Sequence, residues 1–269
     1  METNEPLPVL DAPAPQSPAA KTVAETWHTV LLLVFVVGWF YFGRVRFPYL
    51  RGLPGFNLIA VYIRLILFES ALVAYIAWGL HRRGGSLRVI IGGRWDSAKK
   101  IIIDVGVAAL FWFAVILCLG LLRATLVRVG APPVPKVTRT LPTPEGPRSV
   151  QVPRAMDSLA PHSNAEIPVW IVLCLVVGFC EEVIFRGYLQ GQFVAWTNRP
   201  IGITLSAALF GLGHGYQGRT VQILLGFFGL FFGILAEKRK SLRPGMLAHS
   251  WHDCITGLAL ILLRRMSGG

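Results

Sequence analysis

The sequence is short of charge, and of acid in particular. Only 15% of the 269 residues are charged, and 14 Asp and Glu stand against 26 Lys and Arg, a formal net charge of +12. Soluble domains carry roughly 25% charged residues. The deficit therefore excludes an ordinary soluble fold, and with 54% hydrophobic residues and a mean hydropathy of +0.57 the chain reads as an integral, multi-pass membrane protein. Cysteine is scarce as well. Cys118, Cys174, Cys180 and Cys254 lie apart in apolar segments without Cys-x-x-Cys spacing, which excludes a disulfide framework and a thiolate zinc site. They read as small, buried apolar residues. No nucleic-acid-binding motif accompanies the basic excess, so nucleic acid is not expected as a partner; the positive charge is assigned to loops that set orientation and meet anionic membrane lipids. Internal repeats are lacking too, which speaks against the paired halves of many transporters.

What is present divides the chain into four parts. Residues 1–26 are rich in Pro and Ala, with no periodic apolar face and no basic n-region, and are expected to form a disordered cytoplasmic tail rather than a signal peptide. Residues 27–130 hold three transmembrane helices, with apolar runs at about 28–42, 57–80 and 101–122. Arg64 and Glu69 inside the second run read as a bundle-facing or snorkelling pair. Residues 131–166 form a Pro-rich extramembrane loop, in which Pro132, Pro133, Pro135, Pro142, Pro144 and Pro147 are expected to stop both helix and ladder. Residues 167–265 hold four more apolar segments, at 167–194, 201–214, 221–236 and 246–263. The fold expected is an all-α polytopic membrane protein of about seven transmembrane helices, with a polar catalytic cavity between the last four. With seven spans, the basic clusters at 82–100 and 238–243 fall on one side. The positive-inside bias makes that side, and the amino terminus, cytoplasmic.

The chemistry-bearing residues stand where they cost most. Glu181, Glu182 and Arg186 interrupt an apolar run, and each charge at a bilayer centre costs about 2.5–3.5 kcal/mol on insertion scales, so a functional site is the default reading. On a helix Glu182 and Arg186 meet at four residues' separation, while Glu181 is turned by about 100° and is left free as a general base. His214 follows Phe210 by four. Taken alone, a histidine on an apolar helix is a packed residue more often than a catalyst. A hairpin turning at Thr197 and Asn198, however, places His214 at the depth of Glu181. In the final segment His249 and Asp253 share a face four residues apart, whereas His252 is offset and reads as structural. Asp253, ionisable in apolar surroundings, should turn inward.

Glu181-Glu182-x-x-x-Arg186, Phe210-x-x-x-His214 and His249-x-x-x-Asp253, in this order on successive helices, resemble the signature motifs of the CPBP intramembrane proteases. That family takes in the type II CAAX prenyl endopeptidases and the bacterial Abi proteins. The resemblance implies an endopeptidase in which Glu181 and His214 activate water and His249 and Asp253 hold the oxyanion, with Glu182, Arg186 and Phe210 in support. Asp253 cannot donate a hydrogen bond as a carboxylate, and orienting His249 is its other possible role. The resemblance leaves the catalytic type open between a glutamate-activated water with no cofactor and a Zn2+ site built from Glu181, His214 and His249. The partners it implies are membrane lipids and a membrane-associated protein or peptide, lipidated or with a hydrophobic carboxy-terminal tail. A non-catalytic scaffold or a bacteriocin-immunity factor on the same fold is the alternative, with a transporter behind it.

Overall fold

A computed structural model of the chain describes residues 22–50, 56–144 and 146–267. Most of the expected tail, residues 1–21, lies outside the described residues. The elements run in the order α1 (Thr26–Leu50), α2 (Leu58–Arg82), α3 (Leu87–Ile91), α4 (Ala98–Arg128), β1 (Lys136–Leu141), β2 (Arg148–Pro153), α5 (Arg154–Leu159) and α6 (Glu166–Glu181). A π-helical stretch, Glu182–Leu189, then leads into α7 (Gln190–Trp196), α8 (Arg199–Gly213), a 3₁₀ turn (Gly215–Gln217), α9 (Arg219–Arg239) and α10 (Arg243–Met266).

Among the described residues, five helices are long and apolar enough to cross a membrane: α2, α4, the continuous rod 166–196, α9 and α10. The apolar part of α1, Thr26–Tyr41, and α8 are shorter. The protein is thus an all-α, polytopic membrane protein, with five full-length spans and two shorter apolar helices where seven spans were expected. Its outward surface agrees: Leu110, Phe113, Leu117 and Leu121 of α4 are each more than 60% exposed, a stripe that only lipid can cover at low cost. Cys118 lies on this exposed helix, so the reading of all four cysteines as buried fails there, while Cys174 and Cys180 are buried as expected.

Local chemistry sets the helix ends. Asn57, Ser97 and Asn198 cap α2, α4 and α8 by accepting from the amides of Ala60, Lys100 and Ile201 at 3.2, 3.4 and 3.0 Å. Pro200 and Pro244 sit in the first turns of α8 and α10, where no amide donor is missed. Gly92 ends α3 at φ 94°, and a Cβ there would stand 2.6 Å from the Lys240 carbonyl. That close approach lets Leu242 N donate to Ile91 O at 3.0 Å and pins α3 under the turn between α9 and α10. At the same end Asp104 of α4 pairs with Arg239 (3.2 Å) and Arg243 (3.1 Å) and accepts from Trp95 Nε1 at 2.8 Å. The two basic clusters therefore meet at one end of the bundle, as expected from the count of spans.

The segment 131–166 departs from expectation. It folds into an antiparallel hairpin in which Lys136 pairs with Pro153 and Leu141 with Arg148, followed by α5. The prolines lie before β1, in the turn and at the last position of β2, so Lys136–Leu141 and 148–152 keep every amide needed for the ladder. The hairpin is anchored to the bundle. Arg139 forks onto Asp157 at 3.0 and 3.1 Å, Arg264 of α10 donates to the carbonyls of Ala160 (3.1 Å) and Asp157, and Tyr62 Oη donates to Leu159 O at 2.6 Å. α5 rests against the 3₁₀ turn that follows His214.

Candidate active site

The rod 166–196 is the hub. Its first half packs between α2 and α10, and its second half packs on α8. Gly178 permits the crossing with α10: a Cβ there would stand 2.8 Å from Ser250 N and closer still to Ser250 Oγ. Amino-terminal α1 is tied to the rod by His28, whose Nε2–H donates to Tyr75 O (3.0 Å) while Nδ1 accepts from Tyr188 Oη (2.7 Å).

The glutamate motif straddles the change from α to π geometry at Glu182, which the α-helical reading of its spacing did not anticipate. A π stretch widens the turn and leaves carbonyls to be satisfied from outside, and such stretches recur at functional sites. Here Ser206 Oγ of α8 donates to Phe185 O at 2.7 Å. Glu182 and Arg186 do pair, Nη1 to Oε1 at 3.2 Å, with both side chains 1% exposed. The guanidinium lies over the Phe210 ring at 4.2 Å, so charge and an aromatic face hold it rather than aligned hydrogen bonds.

The hairpin register between the rod and α8 follows the expected symmetry. Phe185, four residues beyond Glu181, packs edge-on against Phe210, four residues before His214, with ring centroids 5.1 Å apart. His214 occupies the carboxy-terminal cap of α8, where its Nδ1–H donates to Phe210 O at 2.9 Å. This fixes the tautomer and leaves the Nε2 lone pair available. The Phe210 ring lies 4.8 Å from that of His214 and 6.0 Å from that of His249.

His249, buried in α10, is the point of convergence. Its Nδ1 lies 3.0 Å from Glu182 Oε1, and its Nε2 lies 3.5 Å from Glu181 Oε2 and 3.9 Å from Asp253 Oδ2. Glu181 is within electrostatic range of His214, His249, Asp253 and Arg186. The structure thus brings together Glu181, Glu182, Arg186, Phe210, His214, His249 and Asp253. His252 packs on Phe228, with ring centroids 5.5 Å apart, and lies within electrostatic range of His249 and Asp253. Within the cluster Glu181 Oε2 is buried and takes part in no hydrogen bond among the described residues.

Residues 163–255, a stretch that takes in all three motifs, match the family described as type II CAAX prenyl endopeptidase Rce1-like. Over these residues the chain is similar to the CAAX protease family. The match agrees with the motif resemblance. No curated protein and no solved structure matches the chain.

At this site the test of a metal is the donor geometry. Among the described residues no three His, Cys, Asp or Glu side chains are arranged to hold a metal ion, and the zinc set Glu181, His214 and His249 does not fit one.

Of two further residues near the site, the reading of the sequence paired one with the wrong partner and did not single out the other. Glu69 of α2 is not half of a pair with Arg64: Arg64 is exposed, whereas Glu69 Oε2 is buried without a hydrogen bond among the described residues and within electrostatic range of Glu181. An acidic residue in an apolar span was signal enough to place it inward. Tyr216, in the 3₁₀ turn, lies with its ring 6.1 Å from that of His214 and within electrostatic range of Glu181 and Asp253. Burial pushes its phenol up to about 12, the Glu181 and Asp253 carboxylates add to this, and the hydrogen bond from Gln217 opposes it. No spacing rule pointed to it.

Proposed function

We propose that the chain is an intramembrane endopeptidase that hydrolyses a peptide bond of a membrane-associated protein or peptide, close to a lipidated cysteine or an apolar carboxy-terminal tail. The observation that carries this reading is Glu181 Oε2, a buried carboxylate oxygen left without a hydrogen bond between two imidazoles. A water held there by Glu181 and the free Nε2 of His214 loses a proton to Glu181 as its oxygen attacks the carbonyl carbon. The carbonyl oxygen becomes the oxyanion and accepts from Nε2–H of His249, whose Nδ1–H is held by Glu182. The carbon–nitrogen bond then breaks, and the amine leaves with the proton that Glu181 took up. Asp253 orients His249, and Arg186 over Phe210 keeps Glu182 in place.

An apolar groove of about 370 Å³ between α2 and α6, lined by Ser70, Val73, Leu175, Val176, Phe179 and Cys180, supports lateral access from lipid, since Cys180 adjoins Glu181. The union of both basic clusters at one end supports a cytoplasmic amino terminus with the hairpin 131–166 on the far side. In this reading 27–130 frames the catalytic core 167–265.

Mass spectrometry of peptide termini tests the activity, comparing membranes of an expression host carrying wild type or Glu181→Ala. New carboxy termini with wild type alone are expected. Identical termini in both would overturn the reading, and protection or binding that survives Glu181→Ala would favour a scaffold.

A further inference from the structure

A tetrahedral oxyanion in a site shielded from water needs more than one hydrogen-bond donor, and this site is short of them. His249 Nε2–H is one. Asp253 presents a carboxylate, an acceptor. Arg186 is held by Glu182 and Phe210, and His214 spends its Nδ1–H on Phe210 O. Among the described residues, Tyr216 beside His214 offers a neutral hydroxyl that donates no hydrogen bond. Tyr216 Oη accepts from Gln217 Nε2 at 3.0 Å, and a phenol that accepts one hydrogen bond still has its own O–H to give. The turn that carries it is fixed from three sides: His214 precedes it at the cap of α8, α5 rests on it, and Thr220 Oγ1 just beyond donates to Pro132 O at 2.5 Å. Tyr216 is half-buried, its ring beside that of His214, with Glu181 and Asp253 in electrostatic range.

We propose that the Tyr216 hydroxyl is the second donor to the oxyanion, together with His249, which makes it a catalytic residue; the inference rests on the hydrolytic reading above. As the carbonyl oxygen gains negative charge on attack by water, Tyr216 O–H donates to it without transferring its proton, and the bond is released when the carbon–nitrogen bond breaks. This gives the hairpin and α5 a consequence for chemistry, because they hold the turn in which the donor sits.

The test uses the full chain in liposomes and, as probe, an internally quenched farnesylated peptide ending in a tripeptide. Tyr216→Phe keeps the ring and its packing. It is expected to lower kcat by about 10²-fold, the effect of deleting one oxyanion donor, with KM changed by less than about twofold. Affinity for a phosphinate analogue of the scissile bond should fall in parallel, while affinity for the carboxylate product should not. Wild-type kcat in Tyr216→Phe, or an equal loss of product affinity, overturns the proposal and leaves the protease reading intact. If wild type cleaves neither this probe nor an unlipidated peptide with an apolar carboxy-terminal tail, both are overturned. Should Tyr216→Phe not fold, 3-fluorotyrosine at position 216 keeps the shape and makes a stronger donor; tighter phosphinate binding supports the proposal and unchanged binding overturns it.

Discussion

Two apolar rods of 31 residues, α4 and the run from Glu166 to Trp196, do opposite work. In α4, 11% of the most apolar stretch is buried; in the other rod, 44% is. α4 leaves Leu110, Phe113, Leu117 and Leu121 on the outer surface and contributes Asp104 near its start, where two arginines receive the charge. The other rod carries Glu181, Glu182 and Arg186 at its middle and is enclosed by α2, α8 and α10. In a membrane apolarity marks contact with lipid, and a charge set within it marks the interior of the bundle, the reverse of the rule for soluble proteins.

The comparison can be sharpened by substitution. On the buried side the largest effect belongs to His214→Ala. Turnover of a peptide probe in liposomes should fall by about 10² to 10⁴-fold, the range for a lost acid–base group, with the amount of folded protein unchanged. Next is Arg186→Met, which leaves Glu182 buried and uncompensated. A loss of about 3–5 kcal/mol is expected, read as faster thermal inactivation in detergent, and part of it should return in the double variant Glu182→Leu with Arg186→Met. Gly211→Ala is smaller. Its Cβ would stand 2.6 Å from the Gln222 carbonyl, a backbone atom that cannot swing aside, so about 1–3 kcal/mol should be lost in the same assay. On the lipid side Leu110→Ala, at a position 75% exposed, should change stability by less than about 0.5 kcal/mol and leave turnover alone. A large loss at Leu110 would break the contrast between the two rods.

Much of the site was legible because each motif residue carried its own penalty. Charges in apolar runs had to turn inward, and the symmetric hairpin about Thr197 and Asn198 brought Phe185 against Phe210, four residues inside Glu181 and His214. What escaped was set by tertiary contact. In the π stretch Ser206 of α8 takes up the Phe185 carbonyl from another helix, and no single-helix rule contains that. The hairpin at 136–153 was obscured by proline counts, although the prolines fall at strand ends where ladder amides are not needed. Tyr216 lies in a three-residue turn with no periodicity to betray which way it faces. Glu69 was legible and was given to the wrong partner, because Arg64 was near in sequence while Glu181 is near in space.

In the proposed function one carboxylate from the enclosed rod does the hydrolytic work in a cavity shared with the imidazoles of two other helices. Single-turnover cleavage of a quenched farnesylated peptide by wild type and by Glu181→Gln, which keeps size and shape, tests it most directly. The account requires the rate of Glu181→Gln to fall by at least about 10²-fold with probe binding retained; equal rates in the two proteins would contradict it.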